Sequence, residues 1–197
     1  MILWIIAIAL TIIFVFLLLL VFLRKLQYDS IHQNLLDLED AYGGKVMRGG
    51  FAVRPRYSGL YKGKRISVSI TTSKDKRGRI YHIEVTMQAS SKFQFSVMNA
   101  QLIKDQNIQP DRKERMKSIS SDKYVFEVIE KDHLSHLNLK RLGDIILQMD
   151  PFEFILISKN QLMLERVSHD FRKDTDIRYL GNLIKSMYEF RDALEKV

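Results

Sequence analysis

The sequence predicts an α+β fold: an N-terminal transmembrane helix followed by a mainly antiparallel sheet with helices packed on one face. Three observations predict it. Positions 2–23 form an uncharged apolar run, apolar residues then recur at every second position in three segments between 66 and 97, and apolar stripes at helical spacing flank those segments.

The apolar run comes first. Ile2–Leu23 is apolar apart from Thr11 and holds no charge, Gly or Pro. As a helix rising 1.5 Å per residue it would measure about 33 Å, enough to cross a hydrocarbon core of about 30 Å. A secretory signal peptide would need a basic stretch ahead of the apolar core and a small-x-small cleavage site behind it. The basic stretch is missing, and Ala7-Ile8-Ala9 lies too early to be such a site. Residues 1–25 therefore read as an uncleaved, single-pass anchor. Trp4 and Tyr28 fall near its ends, where amphipathic rings favour the headgroup layer. Arg24 and Lys25 follow the run directly, so the positive-inside tendency puts residues 26–197 in the cytoplasm, behind the inner (cell) membrane.

The remaining chain, about 170 residues, suits one domain. It has no cysteine, which excludes disulfides, thiol nucleophiles and thiolate metal sites, and agrees with a reducing compartment. Within 26–42, Tyr28, Ile31, Leu35, Leu38 and Tyr42 form one apolar stripe, a linking helix that Gly43-Gly44 would end. A meander is expected over 45–98. Ile66, Val68 and Ile70 alternate with Ser67, Ser69 and Thr71, and Tyr81, Ile83, Val85 and Met87 alternate with His82, Glu84, Thr86 and Gln88. Phe93, Phe95 and Val97 repeat the pattern with Lys92, Gln94 and Ser96, giving strands with one wet face. Residues 104–123 are polar and read as a surface loop. A strand at Tyr124–Ile129, a helix near Ser135–Met149 and a hairpin over Phe152–Val167 follow. A last helix, capped by Asp174 or Thr175, carries Ile177, Leu180, Ile184, Met187 and Leu194.

The runs YSGLYKGKRISVSI, KYVFEVIEKD, LGDIILQMDPFEFILISKNQLMLER and IRYLGNLIKSMYEFRDAL resemble an uncharacterised group of bacterial single-pass, membrane-anchored α+β proteins with no known activity. The shared features are turn glycines and core apolar residues. The resemblance implies the fold and a bacterial source, and no chemistry.

Motifs that carry chemistry are weak throughout. Gly59 to Arg65 is superficially like a phosphate-binding loop, but it has three residues between its glycines where four are needed and sits between strands. His133-x-x-His136 lacks a third ligand, and no metal site or cofactor is expected. His82 falls on the wet face beside Glu84. Ser168-His169-Asp170 is contiguous, whereas a working triad is gathered from distant segments. No catalytic residue is assigned.

Charge is the outlier. The chain has 31 basic and 23 acidic residues. Lys45–Arg79 holds eleven basic residues against Asp75 alone, so the window is +10, and the remaining 20 basic and 22 acidic residues leave −2. In a meander, Arg54, Arg56, Lys74, Lys76, Arg77 and Arg79 would gather at one end and Lys62, Lys64 and Arg65 at the other. Two charged ends suit a flat anionic surface or an acidic protein partner better than the continuous aromatic-lined track that nucleic acid prefers. The nearest anionic surface is the leaflet beside the anchor, where each close Lys or Arg contributes about 1 kcal/mol within a Debye length of about 8 Å. An upright linking helix, about 25 Å long, would lift the sheet out of range, so a membrane contact requires that helix to fold back. The expected function is a non-enzymatic interaction or scaffolding domain. The alternatives are an enzyme with a site under the 104–123 loop, or nucleic-acid binding through the basic segment.

Overall fold

The computed structural model describes residues 2–50, 53–75, 78–91, 94–104, 110–119, 123–128 and 138–195. Its first element is one unbroken helix, α1 (Ile2–Tyr42), of 41 residues. Strands β1 (Lys45–Met47), β2 (Arg56–Tyr61), β3 (Lys64–Asp75), β4 (Gly78–Gln88) and β5 (Phe95–Asn99) follow, then short helices α2 (Ala100–Lys104) and α3 (Pro110–Glu114). The rest is β6 (Met116–Ile119), β7 (Tyr124–Val128), α4 (Leu139–Gln148), β8 (Phe154–Ile157), β9 (Gln161–Val167), α5 (Phe171–Asp174) and α6 (Ile177–Glu195).

All nine strands join one antiparallel sheet in the order β1-β2-β3-β4-β9-β8-β5-β7-β6. A single register row crosses seven of them: Tyr57, Val68, Val85, Leu164, Ile155, Val97 and Phe126 stand opposite one another in turn. Each is buried. The period-two pattern thus places one apolar side chain per strand on a common face. Tyr28, Ile31, Leu35 and Leu38 of α1, Leu142 and Ile146 of α4, and Leu180, Ile184, Met187 and Phe190 of α6 complete the same core.

Local chemistry fixes the joints. Gly43 and Gly44 leave α1 with φ of +69° and +100°, and a Cβ on Gly44 would lie 2.3 Å from the Ser58 carbonyl oxygen. Only glycine lets β2 approach the helix end this closely. The buried Tyr57 hydroxyl then donates to the Gly43 carbonyl at 2.7 Å. Lys62 and Gly63, both at positive φ, form the two-residue turn joining β2 to β3, which settles that segment as a hairpin and not a phosphate loop.

Several expectations are corrected. The linking helix, whose course the sequence left open, is continuous with the apolar run. β5 does not extend the meander; it lies between β8 and β7, and β9 takes the place beside β4. Within 104–123, α3 is the short helical turn that Pro110, Asp111 and Glu114 allow, whereas the edge strand β6 replaces part of the expected loop. Asp176 caps α6, its carboxylate accepting from the Arg178 amide at 2.8 Å, while Asp174 turns inward to Arg166 at 2.9 Å. The Phe93 and His133/His136 readings lie outside the described residues.

Candidate functional site

The first buried residue of α1 is Tyr28, one turn after Arg24. Arg54, just ahead of β2, ties this point of the helix to the sheet. Its guanidinium donates to the Ile70 carbonyl at 3.3 Å, to Thr72 Oγ1 at 3.2 Å and to the Tyr28 hydroxyl at 3.5 Å. Arg24 donates to the same hydroxyl at 3.2 Å. The Arg54 guanidinium also lies 5.8 Å from the centre of the Tyr81 ring.

Arg24, Tyr28, Arg54 and Ile70 line a cavity of about 590 Å³, together with Arg56 and the apolar side chains of Met47 and Val53. Among the described residues, none that lines it is a carboxylate, an imidazole or a hydroxyl nucleophile other than the phenol. Among the described residues no carboxylate is paired with Arg24, Arg54 or Arg56. The nearby Asp29 is instead held by Arg48 at 2.5 Å and Lys25 at 3.5 Å. Burial pushes the Tyr28 phenol up, but its bonds to Arg54 and Arg24 outweigh burial and leave it below its ordinary value. The field inside the cavity is therefore positive. Chemically, it can bind an anion; permanently charged guanidiniums cannot take up a proton.

The expected contact residues divide as follows. Arg54 and Arg56 converge on the cavity, where they meet Arg24, which the sequence marked only as a topology residue. Lys74 and Arg79 stand opposite each other near the far end of the β3–β4 hairpin, and Lys76 and Arg77 lie outside the described residues. Strand β3 runs antiparallel to α1. Lys64 pairs with Tyr61, whose ring meets Tyr42 at 5.3 Å near the end of α1, whereas Ile70 is tied through Arg54 to Tyr28. From Ile70 the strand continues four residues to Lys74, about 13 Å at 3.3 Å per residue, toward the end where the apolar run projects. Lys62, Lys64 and Arg65 occupy the opposite end. The helix does not fold back, and it does not lift the sheet away either: the sheet packs along its second half. The choice between folded back and out of range falls away, because a helix buried lengthwise costs no height.

A second cluster was not foreseen. His82 of β4, expected on the wet face, is 7% exposed. Its Nδ1 lies 2.9 Å from Glu165 Oε1 of β9 and 3.2 Å from Glu153 Oε2, just ahead of β8. Its Nε2 lies 2.7 Å from Ser73 Oγ. These three side chains are the described group that could hold a metal ion, their donor atoms all lying within 4.8 Å of one another. The ligands span 83 positions of sequence, and the β4–β9 and β8–β9 pairings bring them together.

Other polar clusters are structural. The guanidinium of Arg166 is held by Asp174 and lies 4.2 Å over the Tyr179 ring. The Tyr124 hydroxyl donates to Asp150, which Lys123 also holds. Ser168 Oγ donates to Asp174 at 2.8 Å, and Asp170 caps α5, so Ser168-His169-Asp170 forms no triad.

A scan against protein-family models and a search of curated proteins give no match. Among solved structures the chain is similar to the mycobacterial trehalose monomycolate transport factor A, TtfA. The TM-score is 0.55 at 7% identity, over 84% of this chain and 94% of that one, which is a likeness of fold.

Proposed function

We propose that the protein is a single-pass membrane protein whose cytoplasmic domain is a non-enzymatic interaction module, seated on anionic lipid headgroups through its basic end. One observation carries this reading. The cavity lined by Arg24, Arg54, Arg56 and the Tyr28 hydroxyl lies within about 6–8 Å, four to five helical residues, of the end of the apolar run. That depth is the headgroup layer if Ile2–Leu23 crosses the bilayer, as its length and composition permit. Guanidiniums match phosphate oxygens with paired donors, and Met47 and Val53 supply apolar walls for the glycerol end of a lipid. Lys74 and Arg79, near the end of the β3–β4 hairpin that points the same way, add long-range attraction to the leaflet. The TtfA protein of similar fold is named a transport factor, which is compatible with a membrane-associated role that needs no catalysis.

The test uses the full chain, extracted in mild detergent from membranes of mixed phosphatidylglycerol and phosphatidylethanolamine, with retained lipid measured by native mass spectrometry. The protein should retain phosphatidylglycerol selectively. Replacing Arg24, Arg54 and Arg56 with Gln should remove that selectivity, and replacing Lys62, Lys64 and Arg65 should not. Equal loss from both sets would transfer the contact to diffuse charge. Retention unchanged in the first set would end the lipid reading and favour an acidic protein partner.

A further inference from the structure

We propose that His82, Glu153 and Glu165 form a binding site for a divalent cation of the zinc type. This rests on the opposite face of the sheet from the basic cavity and stands or falls without it.

The starting point is a mismatch. The His82 side chain is 9% exposed, and its Nδ1 has two carboxylate oxygens within 3.2 Å, yet it makes a directed hydrogen bond to neither. In the tautomer whose Nε2–H donates to Ser73 Oγ, 2.7 Å away, Nδ1 carries a lone pair that faces two further acceptors. Three acceptors aimed at one point repel unless a cation sits among them. A proton on Nδ1 would also balance the two carboxylates, but its N–H would have no well-directed acceptor between them. A metal ion has no such requirement: it needs donors at a common distance.

The spacing fits. Two ligands each about 2.0–2.1 Å from a tetrahedral ion lie roughly 3.3 Å apart, close to the 2.9 and 3.2 Å found here. Ser73 plays the part of the outer partner that fixes the tautomer and ring orientation of a ligating histidine. Glu84 stands directly opposite Glu165 in the β4–β9 register and adds a further negative charge on the same face. Among the described residues no Lys or Arg is paired with Glu84, Glu153 or Glu165. One imidazole with carboxylates suits zinc and its first-row neighbours, whereas calcium and magnesium prefer all-oxygen shells. The two glutamates remain 31% and 29% exposed, so water completes the coordination. The ion would clamp β4, β9 and the entry to β8 together at the middle of the sheet.

The experiment takes untagged full-length protein in detergent, strips it with a chelator, and titrates it with zinc by calorimetry. One equivalent should bind, with magnesium and calcium at least tenfold weaker. Cobalt should give the visible absorption of a low-coordinate nitrogen and oxygen site. Glu153→Gln and Glu165→Gln should each weaken zinc at least tenfold, and Ser73→Ala, which leaves all three ligands in place, by about tenfold. Absence of stoichiometric zinc binding, or zinc binding unchanged in the two glutamine variants, would overturn the proposal. Should either glutamine variant fail to fold, Ser73→Ala decides: unchanged zinc affinity and an unchanged cobalt spectrum would also overturn it.

Discussion

The two halves of α1 are a controlled comparison within one helix. Residues 2–23 are apolar on every side and exposed on every side, while residues 28–38 are apolar along a single stripe and that stripe is buried. The more apolar half is thus the one with no protein around it. Burial inside a fold follows the period of the apolar residues, because a partner covers one face of a helix. A helix apolar all round needs an apolar surrounding instead. The difference separates two kinds of surrounding along one rod, and its border falls between Leu23 and Tyr28, where Arg24 and Lys25 stand.

The largest test of this contrast is paired truncation. Leu35→Ala should cost about 2–5 kcal/mol of domain stability, since the vacated space sits in a closed core. Leu18→Ala should change domain unfolding in the same detergent by no more than about 0.5 kcal/mol. Equal effects would mean that both halves pack against protein. Next comes a charge in the upper half. Ile13→Asp should oppose insertion by about 2.5–3.5 kcal/mol, read as the fraction of chain that resists alkaline extraction from membranes. The lower half already carries Asp29, Asp37 and Asp40. Asn34→Ala should cost about 1 kcal/mol, because its amide joins α1 to the Arg172 carbonyl at 2.8 Å and Thr175 Oγ1 at 2.9 Å. The smallest effect concerns the border. On the proposed cytoplasmic orientation, replacing Arg24 and Lys25 with Gln should raise the fraction of chains with an exported C-terminus, scored by compartment-specific reporters fused after Val197, without changing stability measurably.

How much of this was legible depends on the range of the interactions. The stripe at 28–38 and the alternation at 66–70 and 83–87 are local periodicities, and each became a helix face or strand face as expected. Pairing is not local. Phe95 and Val97 announce a strand, but nothing in their alternation says that β8 and β7 are its neighbours, or that β9 returns to lie against β4. Strand β6 went unread because Lys117 and Ser118 look like a loop, and an edge strand tolerates polar residues that a central one does not. In Asp174-Thr175-Asp176 three residues could cap a helix; tertiary contacts chose Asp176 by drawing Asp174 to Arg166. The residues at the cavity were legible as a basic run, but their meeting with Arg24 required the sheet to lie along the helix. The His82 cluster had no signal beyond an imidazole in an otherwise hydroxyl-rich face.

The unbroken course of α1 through Gln27 has a mechanical consequence. A domain hung on a flexible linker sweeps out a volume and arrives at its partner in any attitude. This one has no joint between the apolar segment and the core, so its heading is set once the segment is seated. A partner that tips the domain must tilt the rod as well, and a change in the rod's tilt must be felt as a displacement of the whole sheet.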